Sequence, residues 1–465
     1  MPLWNPSCGV PCALLLALLG GCTAGPDYVR PDVDMPGAYK EAGPWQPARP
    51  DDAALSGDWW SVFADPDLSG LLAQIDISNQ NVRVAEAQFR AARALVKQTR
   101  AGAYPTVSAV ASATRSRAPG NVPAVTTQAV GLDASWEIDL WGRVRRAVEA
   151  DVASAQASEA DLAAARLSAR AELAGDYFQL RVLDEQKRLL DDTVAAYSRA
   201  LDITRKRYAA GVAAKVEVAQ AQTQLESTRA QAIDVGVQRA ALEHAIAVLL
   251  GKPPAGFSLP ASTTPIPVPT LPTELPSRLL ERRPDIAAAE RLVAAANARI
   301  GVAQAAYFPS LALTGNTGFE SAPLADLFTA PARVWSVGPA LAETLFDAGA
   351  RKAQTRQAVA GYDASVATYR QTVLGALQDV EDNLAALRIL EEEARVQDAA
   401  VQAARESVAL TTNQYKAGTV NFLNVVIVQA AQLSNERSAL SIHGQRLAAT
   451  VALIRALGGG WEAPR

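Results

Sequence analysis

The stretch YAAGVAAKVEV, residues 208–218, returns about 200 residues later as YKAGTVNFLNV, residues 415–425. Tyrosine and glycine keep the same spacing in both copies, and apolar residues follow at matching places. Glycine readily adopts the left-handed backbone conformation with which many helices end. Each copy therefore predicts the tip of a helical hairpin, and the chain has two such tips.

Other segments repeat at nearly the same offset. Residues 85–105 match residues 289–309 at several alanines, at one glutamate and at a final aromatic–proline pair. A period of this length is far too long for a solenoid repeat, whose units span 20–50 residues. We therefore interpret the chain as an internal duplication, with a first repeat over residues 79–250 and a second over residues 278–458.

Long helices are predicted in both repeats. No proline interrupts residues 143–208, and Gly175 is the one glycine there. About 65 residues at 1.5 Å each give a helix of about 100 Å. Part of it follows the alternating four-residue and three-residue steps of a coiled coil, at Leu190, Val194, Tyr197, Leu201, Thr204 and Tyr208. In the second repeat the matching places hold Val401, Val408 and Tyr415.

The segment before each long helix alternates with a period of two, which is typical of β-strands. In AVGLDASWEIDLW, residues 129–141, apolar residues occupy one face and acidic or small polar residues the other, the latter being Asp133, Ser135, Glu137 and Asp139. Weaker alternation near Val107, Leu311 and Trp335 indicates three further strands. Each repeat thus predicts two strands.

Four strands cannot close a barrel in lipid, because open sheet edges leave backbone groups unsatisfied and transmembrane barrels have at least eight strands. Identical subunits must therefore contribute together around a cyclic axis. The acidic face of residues 129–141 is expected to line a wet lumen and the apolar face to meet lipid. Trp136 and Trp141, near the strand end, suit the headgroup layer.

The N-terminus has the features of an export signal. Residues 13–19, ALLLALL, are too short to span a bilayer and suit the apolar region of a signal peptide. LGGC, ending at Cys22, resembles a bacterial lipobox, although no Lys or Arg precedes the apolar run. An ordinary signal peptide with a chance cysteine is the alternative. An aspartate directly after the lipidated cysteine resembles a signal for retention in the inner membrane. This chain has Thr23 at that position, which favours the outer membrane.

Composition argues against several classes of function. The net charge of −4 predicts no nucleic-acid-binding surface. The two histidines each stand alone in a helical stretch, so neither predicts a metal site or catalysis. Because no constellation of converging polar groups is recognisable, we expect neither an enzyme nor a bound cofactor.

Three further motifs join the paired tips: GPDYVRP at 25–31, WWSVFADPDLSGLL at 59–72 and LLERRPDIAAAE at 279–290. Together they resemble outer-membrane factors of the TolC/OprM type, in the NodT-like efflux lipoprotein branch, over nearly the whole chain after the signal. The resemblance implies a mainly α fold with a small β part. Duplicated coiled-coil hairpins form a periplasmic α-barrel, and four strands per chain contribute to a trimeric twelve-stranded β-barrel in the outer membrane.

The resemblance also implies a function. A homotrimer would act as a passive exit duct for small molecules such as drugs, coupled through a periplasmic adaptor to an inner-membrane pump of the resistance-nodulation-division type. A duct for type I protein secretion is an alternative, and an adaptor lipoprotein is a more distant one, because an adaptor would have one hairpin and no amphipathic strand pairs.

The expected domain order is simple. A lipoprotein signal peptide covers residues 1–21, and an N-terminal anchor and equatorial segment covers 22–78. A proline-rich connector at 251–277 joins the two repeats, and a tail at 459–465 follows the second one. Cys22 is the predicted lipidation site, and in ERRPDI we expect Pro284 and Asp285 to form the first turn of a helix.

The hairpin tips are the predicted periplasmic entrance. Proteins of the TolC type commonly have carboxylates six and nine residues after the glycine of the second tip, whereas this chain has Asn424 and Ile427 there. The first tip has Glu217 and Gln220 at the equivalent places. We therefore expect a closed resting tip, with Leu423 and Ile427 as apolar plugs and a weak preference for cations from Glu217.

The adaptor is expected to dock beside the tips, at the grooves next to Tyr208, Gly211, Tyr415 and Gly418, and to open them. The alternative is that these residues only cap and pack the hairpins.

Overall fold

The structure is a computed structural model, and it describes residues 23–42, 58–120, 123–269 and 282–461. The long elements of these residues are seven helices, α1 (Pro66–Ser78), α2 (Gln80–Ala101), α3 (Arg143–Ala209), α4 (Lys215–Leu249), α5 (Pro284–Ala305), α6 (Ala350–Ala417) and α7 (Phe422–Ala456), and four strands, β1 (Thr106–Ser116), β2 (Val125–Ile138), β3 (Ser310–Ser321) and β4 (Arg333–Ala342). The order helix, two strands, long helix, return helix occurs twice. The predicted fold class is confirmed.

The helices before the strands end three residues ahead of an aromatic–proline pair. Helix α2 ends at Ala101, before Tyr104, and α5 ends at Ala305, before Phe308. The chain then tightens, with the Tyr104 amide bonded to the Ala101 carbonyl at 3.0 Å. The next residue in each repeat is proline, which disfavours helical backbone at the residue before it. The helix therefore unwinds ahead of the proline.

Two compact units divide the chain, and each contains segments of both repeats. The first unit holds the β-sheet, in the order β1-β2-β3-β4 with every neighbouring pair antiparallel. At its centre β2 pairs with β3, with Asp133 opposite Asn316. Strands β1 and β4 are the outer strands, and every residue of β1 is exposed. The fourth strand, around Trp335, is present although its sequence pattern was irregular.

The alternation predicted that Asp139 would lie on the acidic face of β2, and this prediction is wrong. Strand β2 ends at Ile138, and the Asp139 carboxylate accepts hydrogen bonds from the amides of Val144 and Arg145, at 3.1 and 2.9 Å. The first amides of a helix have no partner within the helix, and a carboxylate is a suitable one. Asp139 therefore caps α3 instead of extending the strand.

The GPDYVRP motif binds along the helices of the first unit. Arg146 is buried, and its guanidinium donates to the carbonyl oxygens of Ala24 and Gly25 and to the Asp27 carboxylate, at 2.9–3.2 Å. The Tyr28 hydroxyl is hydrogen-bonded to Glu290. The amide of Ala24 also donates to the Trp141 carbonyl at 2.9 Å. The segment that follows Cys22 is thus held at the end of β2.

The second unit contains the two coiled-coil hairpins, the first formed by α3 with α4 and the second by α6 with α7. At the end opposite the tip, the last carbonyl of each return helix accepts a hydrogen bond from the side chain of the residue that precedes α2 or α5. Asn79 donates to the Leu249 carbonyl at 2.8 Å, and Arg283, its counterpart in the second repeat, donates to the Ala456 carbonyl at 3.2 Å. Pro284 is the first residue of α5, as predicted. No helix in the described part of the chain is both long and apolar enough to cross a membrane.

A buried ionic cluster attaches the connector after the first hairpin to that hairpin. The Asp184 side chain is 2% exposed and accepts from Arg181 at 3.3 Å, from Arg239 at 2.7 Å and from the Ser262 amide at 3.1 Å. The two arginines also donate to the carbonyls of Pro260 and Leu259, each at 2.7 Å. Because every charge has a partner, the cluster can be buried at tolerable cost.

Candidate functional site

Each hairpin tip turns at the predicted glycine. Gly211 has a φ of +74° and Gly418 a φ of +80°, both in the left-handed region. A Cβ added at either glycine would meet nothing within 4 Å, so backbone conformation and not space requires glycine there. The return helices start differently: Asn421 caps α7 through its side chain, whereas Ala214 before α4 provides no such bond.

Gly211→Ala and Gly418→Ala are each expected to destabilise their tip by about 1–2 kcal/mol, the cost of left-handed backbone for a residue with a Cβ. Hydrogen exchange of the amides beside the tips will measure this loss as faster exchange. Gly236→Ala in α4 is the matched control, since Gly236 has open space around it and lies within a helix. Alanine there should stabilise the helix by about 0.5–1 kcal/mol. Unchanged exchange at both tips would contradict the requirement for glycine.

Tyr415 of the second hairpin occupies a socket on the first. We use the term Tyr415 socket for Thr204, Arg207 and Glu217. The Tyr415 hydroxyl donates to a Glu217 carboxylate oxygen at 3.2 Å, and the Arg207 guanidinium lies 4.6 Å from the ring centroid. Arg207 also donates to the Tyr415 carbonyl at 3.3 Å.

The ring of Tyr415 packs edge-on to Phe422, with ring centroids 5.4 Å apart. Both side chains belong to a buried cluster that joins the two hairpins. Burial raises the pKa of the Tyr415 phenol, and the Glu217 carboxylate raises it further, while Thr204 and Arg207 act in the opposite direction. The phenol therefore stays protonated and remains a donor to Glu217. This contact fixes the two tips to each other within one chain.

The two tyrosines of the repeated phrase have different surroundings. Tyr415 is 6% exposed, whereas Tyr208 is 47% exposed, although the coiled-coil spacing predicted that both would be packed. Arg207 was not among the predicted site residues. It has no charged counterpart, since the second repeat has Gln414 at the equivalent place. The difference between Arg207 and Gln414, each next to the repeated tyrosine, is the sequence feature that could have indicated Arg207. The repeat is therefore broken at the side chains of the tip.

The predicted gate residues all lie near the tips but differ in exposure. Leu423 and Ile427 lie one turn apart on α7 and are 44% and 57% exposed. Asn424 is also exposed, Gln220 is half-buried, and Glu217 is half-buried against Tyr415. Glu217 is thus hydrogen-bonded to Tyr415 of the same chain, whereas Leu423 and Ile427 lie outside the hydrophobic core. Their role in gating stays a prediction.

Comparison with known proteins identifies the family. The outer membrane efflux protein family matches residues 71–252 and 275–459. The chain is 32% identical over 459 residues to the probable efflux pump outer membrane protein TtgC of Pseudomonas putida, covering 97% of this chain and 95% of TtgC. The outer membrane protein OprJ of Pseudomonas aeruginosa is 32% identical over 471 residues, covering 99% of this chain and 98% of OprJ. This chain belongs to the outer membrane efflux protein family.

The solved structures agree. The outer-membrane channel OprN is similar with a TM-score of 0.89 and 34% identity, over 95% of this chain and 100% of OprN. CusC is similar with a TM-score of 0.85 and 27% identity, over 94% of this chain and 100% of CusC. As an outer membrane efflux protein, the chain is a channel of the outer membrane that extends into the periplasm, and it is not an enzyme.

Proposed function

We propose that three copies of this chain form one continuous efflux channel. The observation that carries this proposal is the four-stranded sheet, in which β1 and β4 each have only one neighbour among the described strands. Open edges are not tolerated in lipid, so β4 of one copy is expected to pair with β1 of the next. Three copies give twelve strands, which lies within the range of transmembrane barrels.

Native mass spectrometry in detergent, combined with conductance measured in planar bilayers, tests this assembly. Three chains that conduct ions together are the expected result. A stable monomer that conducts ions would contradict the closure argument.

The cargo and the partners are inferred from relatives. Proteins similar to this chain are named as outer-membrane components of antibiotic and toluene efflux pumps. We infer that this channel exports small molecules delivered by an inner-membrane pump of the resistance-nodulation-division type, through a periplasmic adaptor. A duct for type I protein secretion is the alternative. Cross-linking in cells, followed by identification of the captured inner-membrane protein, distinguishes a pump from a secretion transporter.

The entrance is expected to be closed at rest by apolar side chains. Leu423 and Ile427 are exposed on one face of α7, and water leaves narrow apolar constrictions readily. Glu217 contributes the weak cation preference, and Gln220 and Asn424 are the other polar residues of the proposed entrance. The grooves beside Tyr208, Gly211, Tyr415 and Gly418 are the proposed adaptor contacts. The alternative remains that these side chains serve only to pack and cap the hairpins.

Cys22 lies outside the described residues, and its lipidation is a proposal supported by the residues that follow it. Ala24 and Gly25 are bound at the end of β2 by Trp141 and Arg146. Acyl chains on Cys22 would therefore enter lipid beside the strand ends. Each buried CH₂ contributes about 0.8 kcal/mol, so two or three chains anchor firmly.

Mass spectrometry of the mature N-terminal peptide is expected to show acylated Cys22. Cys22→Ala with a working signal should still reach the membrane in reduced amount, because the barrel also holds the protein there. An unmodified Cys22 at the mature N-terminus would refute lipidation.

A further inference from the structure

Tyr208, the exposed tyrosine of the first tip, has a buried counterpart in the second tip, Tyr415. Tyr208 and Tyr415 hold the same place in the two repeats, and Tyr415 packs into a socket on the other hairpin of its own chain. Tyr208 is half-exposed, and its hydroxyl makes no hydrogen bond within the described residues. Tyr415 is thus bound within its own chain, whereas Tyr208 has no equivalent contact among the described residues.

The second hairpin has residues at the places equivalent to those of the Tyr415 socket. Thr411, Gln414 and Asn424 stand where the first hairpin has Thr204, Arg207 and Glu217, each 207 residues further along. Gln414 and Asn424 are exposed, and Thr411 is half-buried. An amide oxygen can accept a hydrogen bond from a phenol as a carboxylate does. We call these three residues the second socket.

The direction of the Tyr415 contact points to a partner for Tyr208 on another copy. The tyrosine of the second hairpin reaches back to the hairpin that precedes it. Among the described residues no hairpin comes before the first one, so the same contact for Tyr208 requires a hairpin from another copy. In a closed ring of identical subunits, every hairpin has a neighbour on each side.

We propose that Tyr208 of one copy binds the second socket on the neighbouring copy, with its hydroxyl donating to the Asn424 amide oxygen. This inference rests on the proposed trimer and names the contact that joins its tips. The ring of tips then contains two kinds of junction. The junction within a chain is charged, through Arg207 and Glu217, and the junction between chains is neutral, through Gln414 and Asn424.

The chemical difference determines which junction is weaker. Hydrogen bonds to a charged partner are roughly twice as strong as neutral ones, and glutamine cannot replace the arginine above the ring. The tips therefore separate first between chains, while the two hairpins of one chain move together as a pair.

Cysteine pairs joined by a short bis-methanethiosulfonate spacer test the contact in the full-length protein. A spacer is needed because a tyrosine hydroxyl lies too far from its own Cα for a direct disulfide to replace the contact. Tyr208→Cys with Asn424→Cys should yield covalent products of two and three chains on a denaturing gel, which reduction returns to one chain. The matched pair, Tyr415→Cys with Glu217→Cys, should remain one chain and be linked internally.

Co-expression provides a second measurement with milder variants. Chains that carry only Tyr208→Cys, mixed with chains that carry only Asn424→Cys, should give two-chain products, and either variant alone should give none. A native trimer without the link between 208 and 424, or a link from position 208 to a co-purified adaptor instead, would overturn the docking. A monomeric wild type would overturn the trimer itself, so the two failures are distinguishable by native mass spectrometry.

Discussion

Replacing Leu423 and Ile427 together with serine is expected to raise the resting conductance of the channel and to let large antibiotics leak into cells. Both side chains are exposed on one face of α7, next to the tip, and contribute nothing to the buried cluster that joins the hairpins. A ring of such apolar residues excludes water from a narrow pore, whereas serine hydroxyls retain it. Single-channel recording in planar bilayers measures the conductance, and antibiotic susceptibility measures the leak.

The control for this double substitution removes two exposed apolar side chains elsewhere. Ile233 and Val237 are also four residues apart on a return helix, α4, and are 75% and 70% exposed. Ile233→Ser with Val237→Ser should leave the resting conductance unchanged. If the Leu423 and Ile427 variant conducts like the wild type while the protein remains folded, the constriction lies elsewhere.

Asp184→Ala is expected to cause a large loss of stability around the connector. The change leaves the guanidinium groups of Arg181 and Arg239 without their shared carboxylate, and the Arg181 side chain is 6% exposed. Removing one partner of a buried ion pair costs about 3–5 kcal/mol, because the remaining charge stays buried. The apparent unfolding temperature in detergent should fall. Hydrogen exchange at the amide of Ser262 should rise, since this amide donates to the Asp184 carboxylate.

An exposed ion pair on the same helix is the matched control. Lys187 and Asp191 are joined at 2.6 Å, and their side chains are 43% and 53% exposed. Lys187→Ala should cost at most about 1 kcal/mol, because water screens the pair and solvates the remaining carboxylate. Equal effects of Asp184→Ala and Lys187→Ala would show that the cluster does not hold the connector.

Local patterns predicted the elements well. The two tip glycines, the uninterrupted residues 143–208 and the alternation of residues 129–141 each depend on neighbours close in sequence, and the corresponding hairpins, long helix and strand are present. One prediction failed where the alternation of the strand competed with the capping of the helix that follows it. Asp139 continued the alternation of the strand, but the free amides of α3 required a cap.

The candidate site was predicted in position but not in its contacts. The sequence indicated Tyr415 and Glu217 as tip residues, and the structure joins them by a hydrogen bond across 198 positions. Arg207, which lies over the same ring, was not predicted at all. A repeated sequence suggests equal roles for equivalent residues, and it does not reveal which copy has a partner in its own chain.

The sequence by itself determined that this protein is a duplicated chain with two glycine-tipped helical hairpins and two strand pairs, because periodicity and backbone preference act over a few residues. Only the tertiary structure decided that Tyr415 is buried and Tyr208 exposed, and that Asp184 binds two arginines and the connector. The physical reason is that burial and charge pairing depend on residues brought together from distant parts of the chain.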